Sequence, residues 1–117
     1  AREQVQRGRL ENKIRDQTEH GQYILEAIAN LQSRGAVPAR SKDIQRTYEE
    51  VADAHAASPL STLKSIQDHL SDLHMLGFLR RHDRNEGLSG GQDYEYELDL
   101  DPTIVLEART EIAVHTE

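Results

Sequence analysis

The 117-residue chain contains no cysteine and no tryptophan, one phenylalanine (Phe78), one methionine (Met75), three prolines and three lysines. Without cysteine there is no disulfide framework, zinc ribbon or thiol chemistry, and a reducing cytoplasm suits such a chain. No apolar run approaches the roughly 20 residues that span a bilayer, and no signal peptide opens the sequence. The expected partners therefore include no membrane. The apolar fraction is 36%, lean for a globular chain but above the disordered range. One compact domain is expected at this length, burying about two-thirds of its unfolded surface.

What the chain does have is acid. Its 21 Asp and Glu against 14 Lys and Arg leave a formal charge of −7, which taken whole argues against a nucleic-acid partner. The cations are 11 Arg and only 3 Lys (Lys13, Lys42 and Lys64). Abundant carboxylates with few long lysine stems suit a protein working in molar salt, although an ordinary acidic protein is the plainer alternative. The charge is also uneven. Residues 1–15 hold five cations and two acids, 16–60 four and seven, and 61–92 four and four. Residues 93–117 hold one cation and eight acids, so the closing stretch carries the whole excess while 1–92 is neutral.

Ala1 in place of Met, with charged helical sequence starting at once, reads as a piece of a longer protein. Val5, Leu10 and Ile14 fall at helical offsets over 1–15. Tyr23, Ile24, Ala27, Ile28 and Leu31 form a second stripe, with Gly35 as its C-terminal cap. Ser41 looks like the N-cap of a third helix, which puts Ile44, Tyr48 and Val51 on one face and runs to about 55. Leu63, Ile66, Leu70, Leu73 and Leu76 give the strongest helical signal, capped by Ser61 or Thr62 and ended by Gly77. The period then changes from 3.6 to 2: Phe78 to His82 and Tyr94 to Leu98 read as two strands of a hairpin. Pro102 after Asp101 opens a terminal helix to about 112, and 113–117 is a tail.

This order predicts a mainly α domain with a small antiparallel β-hairpin, a winged helix spanning 16–112. Its recognition helix is expected over about 61–76 and its wing over about 83–92. In that architecture the second helix of the helix–turn–helix enters a groove and the wing reaches the neighbouring backbone. Ser61, Thr62, Lys64 and Ser65 lie outward at the helix start, where hydroxyls, a lysine and backbone donors suit phosphates and base edges. Asp68 and Asp72 oppose phosphate on the same helix. Arg80, Arg81 and Arg84 flank the hairpin tip, and strand alternation sends Arg80 and Arg81 to opposite faces, so at most one joins Arg84.

The run Leu63-Lys64-Ser65-Ile66-Gln67-Asp68-His69-Leu70-Ser71-Asp72-Leu73-His74-Met75-Leu76-Gly77-Phe78-Leu79 resembles the recognition helix of archaeal origin-recognition initiators, the Orc/Cdc family. Arg7-Gly8-Arg9-Leu10-Glu11-Asn12-Lys13-Ile14-Arg15 followed by His20-Gly21-Gln22 is similar to the opening of that family's carboxyl-terminal domain. The likeness covers about 5–110 and points to the halophilic branch. It implies a winged helix that grips duplex origin repeats through Ser61, Thr62, Lys64 and Ser65, and through the wing residues Arg84, Asn85, Gly87, Ser89, Gly90 and Gly91. The opening helix 1–15 would continue from an upstream AAA+ ATPase holding ATP and magnesium. Gly87-Leu88-Ser89-Gly90-Gly91 lacks the Gly-Lys-Ser/Thr ending of a phosphate loop, so no cofactor is expected within these residues. The resemblance further implies contacts with that AAA+ domain, the replicative helicase or other initiators, the isolated domain being a monomer. One departure stands out: only Lys64 supplies charge at the helix start, where relatives carry two or more basic residues.

Other constellations point nowhere sharper. His69 and His74 are five apart on one helix and diverge, while His20, His55, His82 and His115 read as isolated surface or half-buried side chains, so no metal site is expected. Glu49, Glu50 and Asp53 read as a solvated face, and no catalytic role is expected. Tyr94 and Tyr96, alternating with Glu95 and Glu97, read as the packed side of a strand rather than base-stacking rings. A winged-helix transcription regulator and a protein-docking winged helix share the fold and stay open as alternatives.

Overall fold

The computed structural model describes residues 2–84 and 93–115, with side chains described over 9–82 and 94–109. Its elements run α1 (Arg2–Arg15), α2 (Glu19–Ser33), β1 (Ala39–Arg40), α3 (Ser41–Ala54), α4 (Leu63–Met75), β2 (Leu79–Arg84), β3 (Asp93–Leu98) and α5 (Pro102–His115).

Helices α2, α3 and α4 bury most of the stripe that their sequence spacing sets out. Ile24 and Ile28 of α2, Ile44 and Tyr48 of α3, and Ile66 and Leu70 of α4 are fully buried in one apolar core. Ile14 of α1 and Val105 and Ala108 of α5 close it from the other side. α2 is the centre of the packing and touches α3, α4, α5 and β3. Its start is fixed by Thr18, whose Oγ1 accepts from the Gly21 amide at 3.1 Å. Its end is fixed by Gly35 at φ +72°, a left-handed turn that lets the Ala36 amide reach back to the Leu31 carbonyl at 2.8 Å. Gly77, at φ +90°, ends α4 in the same way, with the Phe78 amide donating to the Leu73 carbonyl at 3.0 Å.

Four details differ from the sequence reading. The sheet has three antiparallel strands in the order β1-β3-β2, because Ala39 and Arg40 pair with Tyr96 and Glu95. Two residues are too few to show a period of 2 in the sequence. That pairing also holds Arg40 extended, so Arg40 is the N-cap of α3, without a side-chain cap bond, and Ser41 is already helical. Leu76 leaves the α4 stripe: as C-cap residue, where the chain turns off the helix, it stays exposed beside Met75. Finally β2 extends to Arg84 and α5 to His115, since neither glycine nor proline stops either element earlier.

Candidate nucleic-acid interface

α3 and α4 form the helix–turn–helix, and α4 packs on both α3 and β2, which brings the hairpin beside the second helix. Thr62 caps α4 in an extended conformation, its Oγ1 accepting from the Ser65 amide at 3.2 Å and meeting the Ser65 hydroxyl at 2.8 Å. Ser61, Thr62 and Lys64 are exposed and Ser65 is half-buried, as Ile66, Leu70 and Leu73 turn into the core. The structure thus brings the four expected helix residues together at one exposed end. Two of the three hydroxyls there bond each other and the Ser65 amide is used by the cap, leaving Ser61, Lys64 and the amides of Leu63 and Lys64 as outward donors. Asp68 is exposed further along the helix.

In the hairpin, the ladder pairs Leu79 with Leu98, Arg81 with Tyr96, and Arg80 with Glu97. Leu79, Tyr96 and Leu98 are buried, so this parity faces the core and the alternate one faces solvent. Arg81 lies on the tyrosine side, its guanidinium 4.3 Å from the centre of the Tyr94 ring, and the residue as a whole is exposed. Arg80 is on the opposite face, 62% exposed, and donates to Asp99 Oδ1 at 2.7 Å with Glu97 at 3.9 Å. His82 sits 3.5 Å from the other Glu97 oxygen. The expected divergence of Arg80 and Arg81 is therefore present, but neither is an idle cation. Arg84 pairs in register with Asp93. Its side chain, and the expected wing residues Asn85, Gly87, Ser89, Gly90 and Gly91, lie outside the described residues.

Tyr96 is buried in the core, which raises its phenol pKa, while Tyr94 packs half-buried against the same core; neither is a base-stacking platform. Glu49, Glu50 and Asp53 are exposed along α3.

Two groups escaped the sequence reading. Lys42 and Arg46 are exposed one turn apart on α3, the helix that in such folds crosses the backbone, and their i,i+4 spacing was the available signal. The second group is polar and internal. The Tyr48 hydroxyl meets His20 Nδ1 at 2.8 Å and accepts from the Leu60 amide at 2.7 Å, just ahead of α4. His55 stacks on Tyr23 with ring centres 5.2 Å apart and lies 3.4 Å from Glu26. His20 and His55, expected to be isolated, thus belong to one packed cluster, assembled across sequence separations that leave no local signal.

The family described as the C-terminal winged helix domain of CDC6 matches residues 12–108. The chain is 50% identical over 104 residues to ORC1-type DNA replication protein 8 of Halobacterium salinarum, a match covering 89% of this chain and 26% of that protein. It is 38% identical over 108 residues to ORC1-type DNA replication protein 11 of Haloarcula marismortui, covering 92% of this chain and 26% of the relative. It therefore spans about a quarter of the length of these relatives, whose halophilic source agrees with the acidic, lysine-poor composition. Among solved structures, the Aeropyrum pernix Orc1 protein in complex with DNA superposes with a TM-score of 0.79 at 27% identity, over 94% of this chain and 28% of that one. With the helix–turn–helix, the hairpin and the matched span all in agreement, the chain belongs to the family of Cdc6 C-terminal winged helix domains.

Proposed function

We propose that this domain binds duplex origin DNA in a replication initiator, presenting the start of α4 to a groove and the hairpin to the adjoining backbone. The observation that carries it is the exposed, Thr62-capped start of α4, with Lys64 outward and β2 alongside. The likeness to an Orc1 protein solved in complex with DNA supports the same reading. Ser61, Thr62, Lys64, Ser65, Arg84 and one of the divergent pair Arg80 and Arg81 are the contacts proposed from described elements, and Asn85, Gly87, Ser89, Gly90 and Gly91 those of the wing tip. The chemistry is recognition alone: phosphate contacts orient the domain, and hydroxyls and amides read what the groove offers. ATP hydrolysis with magnesium belongs to the AAA+ part of the whole initiator, and the isolated domain acts as a monomer. In molar salt counterion release contributes less, so hydrogen bonds and groove shape carry more of the affinity.

Lys64→Ala and Arg84→Ala test the reading directly. Each should weaken binding to a cognate origin repeat by about fivefold, uniformly across related sequences, without moving the melting midpoint. Unchanged affinity in both variants, measured by fluorescence anisotropy, removes these contacts.

Met75, 81% exposed, and Leu76 favour a second reading, a docking surface for a protein partner at the far end of α4. A chain that shifts no origin duplex at any salt concentration, yet co-purifies with an initiator or helicase, would favour that reading instead.

A further inference from the structure

We propose that Tyr48 is a positioning residue for the DNA-reading end of α4, its hydroxyl holding the backbone of the α3–α4 turn against His20 of α2. The proposal rests on the DNA-binding reading above and names a residue that acts through α4 rather than on DNA.

The turn needs such a tie. α3 ends with the Ala57 amide donating to the Ala52 carbonyl at 2.8 Å, and Ala56 in the left-handed region at φ +55°. α4 begins at Thr62. Between them, no backbone–backbone hydrogen bond to another described residue involves 58–61. The Leu60 amide is instead held by the Tyr48 hydroxyl at 2.7 Å, two residues before the cap that sets the first turn of α4. Tyr48 is 0% exposed, so its ring cannot swing into water and the anchor is rigid.

Leu60 N–H can only donate, so the Tyr48 oxygen accepts there, and the hydroxyl proton is assigned to His20 Nδ1, 2.8 Å away. That assignment makes Nδ1 the acceptor and places a ring proton on Nε2. Burial raises the Tyr48 pKa, which keeps that hydroxyl a donor. Tyr23 of α2 completes the arrangement, edge-on to His20 at 5.8 Å and stacked on His55, the C-cap of α3, at 5.2 Å. α2 thus grips both ends of the turn, at His55 and, through Tyr48, at Leu60. A helix whose start shifts by about an ångström carries its base-reaching side chains out of hydrogen-bond range.

The test uses the chain itself and a fluorescent random-sequence duplex pool, then the sequence it enriches. Tyr48→Phe keeps the ring in the core and removes only the hydroxyl. It should stay helical by circular dichroism, exchange the Leu60 amide faster, and bind the enriched duplex about tenfold more weakly. His20→Asn offers an acceptor near the lost Nδ1 and should keep near-normal affinity, whereas His20→Leu should fall as Tyr48→Phe does; this pair makes the same comparison if Tyr48→Phe does not fold. Nitrogen-15 shifts of the His20 ring near pH 8 should show a bare Nδ1 and a protonated Nε2. Unchanged affinity in Tyr48→Phe and His20→Leu, equal losses in both His20 variants, or a protonated Nδ1 each overturns the positioning role. A wild-type chain that binds no duplex is seen before any variant is made; it overturns the DNA reading and with it this role.

Discussion

An arginine lies over a tyrosine ring twice, in opposite surroundings. Between α2 and α5, Arg109 lies 5.0 Å from the centre of the Tyr23 ring, donates to Glu26 at 2.9 Å and to Gln22 at 2.8 Å, and is 10% exposed. On the hairpin, Arg81 covers Tyr94 on one face and Arg80 pairs with Asp99 on the other, both residues being exposed. The arginine–ring contact is shared and the dielectric is not. In the packed junction Arg109 Nε and Nη1 each have a fixed acceptor, so the network belongs to the fold. At the hairpin the pairs compete with water and salt, so they remain available to another anion.

Arg109→Met should break the comparison most strongly. The methionine fills much of the space but leaves Glu26, among the described residues, with only the His55 ring at 3.4 Å as a polar partner. Removing one member of a largely buried pair costs about 3 kcal/mol, and denaturant unfolding at fixed salt measures it. The folded fraction should bind DNA as before, because α5 takes no part in the reading face. A loss below about 1 kcal/mol would put Arg109 in the same solvated class as the hairpin arginines.

Alkaline titration sharpens the contrast from the tyrosine side. Burial, then the hydrogen bond to Glu19, pushes the Tyr23 phenol up to about 12, and burial raises Tyr48 and Tyr96 as well. The folded state therefore holds these protons more tightly than the unfolded chain, whose phenols titrate near 10. Their contribution is whole below about pH 10 and is lost as pH climbs toward about 12, on the order of 2 kcal/mol for Tyr23. Melting midpoints should be level from neutral pH to about 9 and fall above 10, and Tyr23→Phe should flatten that fall. A midpoint independent of pH up to 12 would contradict a buried, acid-bonded Tyr23.

The same division explains what the sequence could reveal. Helix faces are local, so the spacing of Ile66, Leu70 and Leu73 alone places Lys64 outward, and it narrows the cap to Ser61 or Thr62, of which the fold uses Thr62. Strand alternation is local too, and it separates Arg80 from Arg81. The sheet's third strand is too short to carry a period, and its pairing moves the α3 cap from Ser41 to Arg40. Glu26 and Arg109 are 83 residues apart and His20 and Tyr48 are 28 apart, distances at which no periodicity links one residue to another. Asp99 falls between these cases. Its acidity is plain in the sequence, but its grip on Arg80 needs the strands to be folded together.

That grip sets the smallest expected effect and the finest test of the hairpin. Asp99 Oδ1 accepts from Arg80 at 2.7 Å and brings negative charge to the face where a phosphate would approach. The pair is exposed, so Arg80→Ala should leave the melting midpoint unmoved. Asp99→Asn removes one repelling charge and releases the guanidinium together. At low salt it should strengthen duplex binding about twofold, and the gain should vanish in molar salt, where the screening length is about 3 Å. In Arg80→Ala, Asp99→Asn retains only the part due to lost repulsion, so the double variant separates release from charge. Equal gains with and without Arg80 would make Asp99 a simple repulsive charge and Arg80 a bystander. A larger gain with Arg80 present would make it a phosphate contact restrained by its own fold.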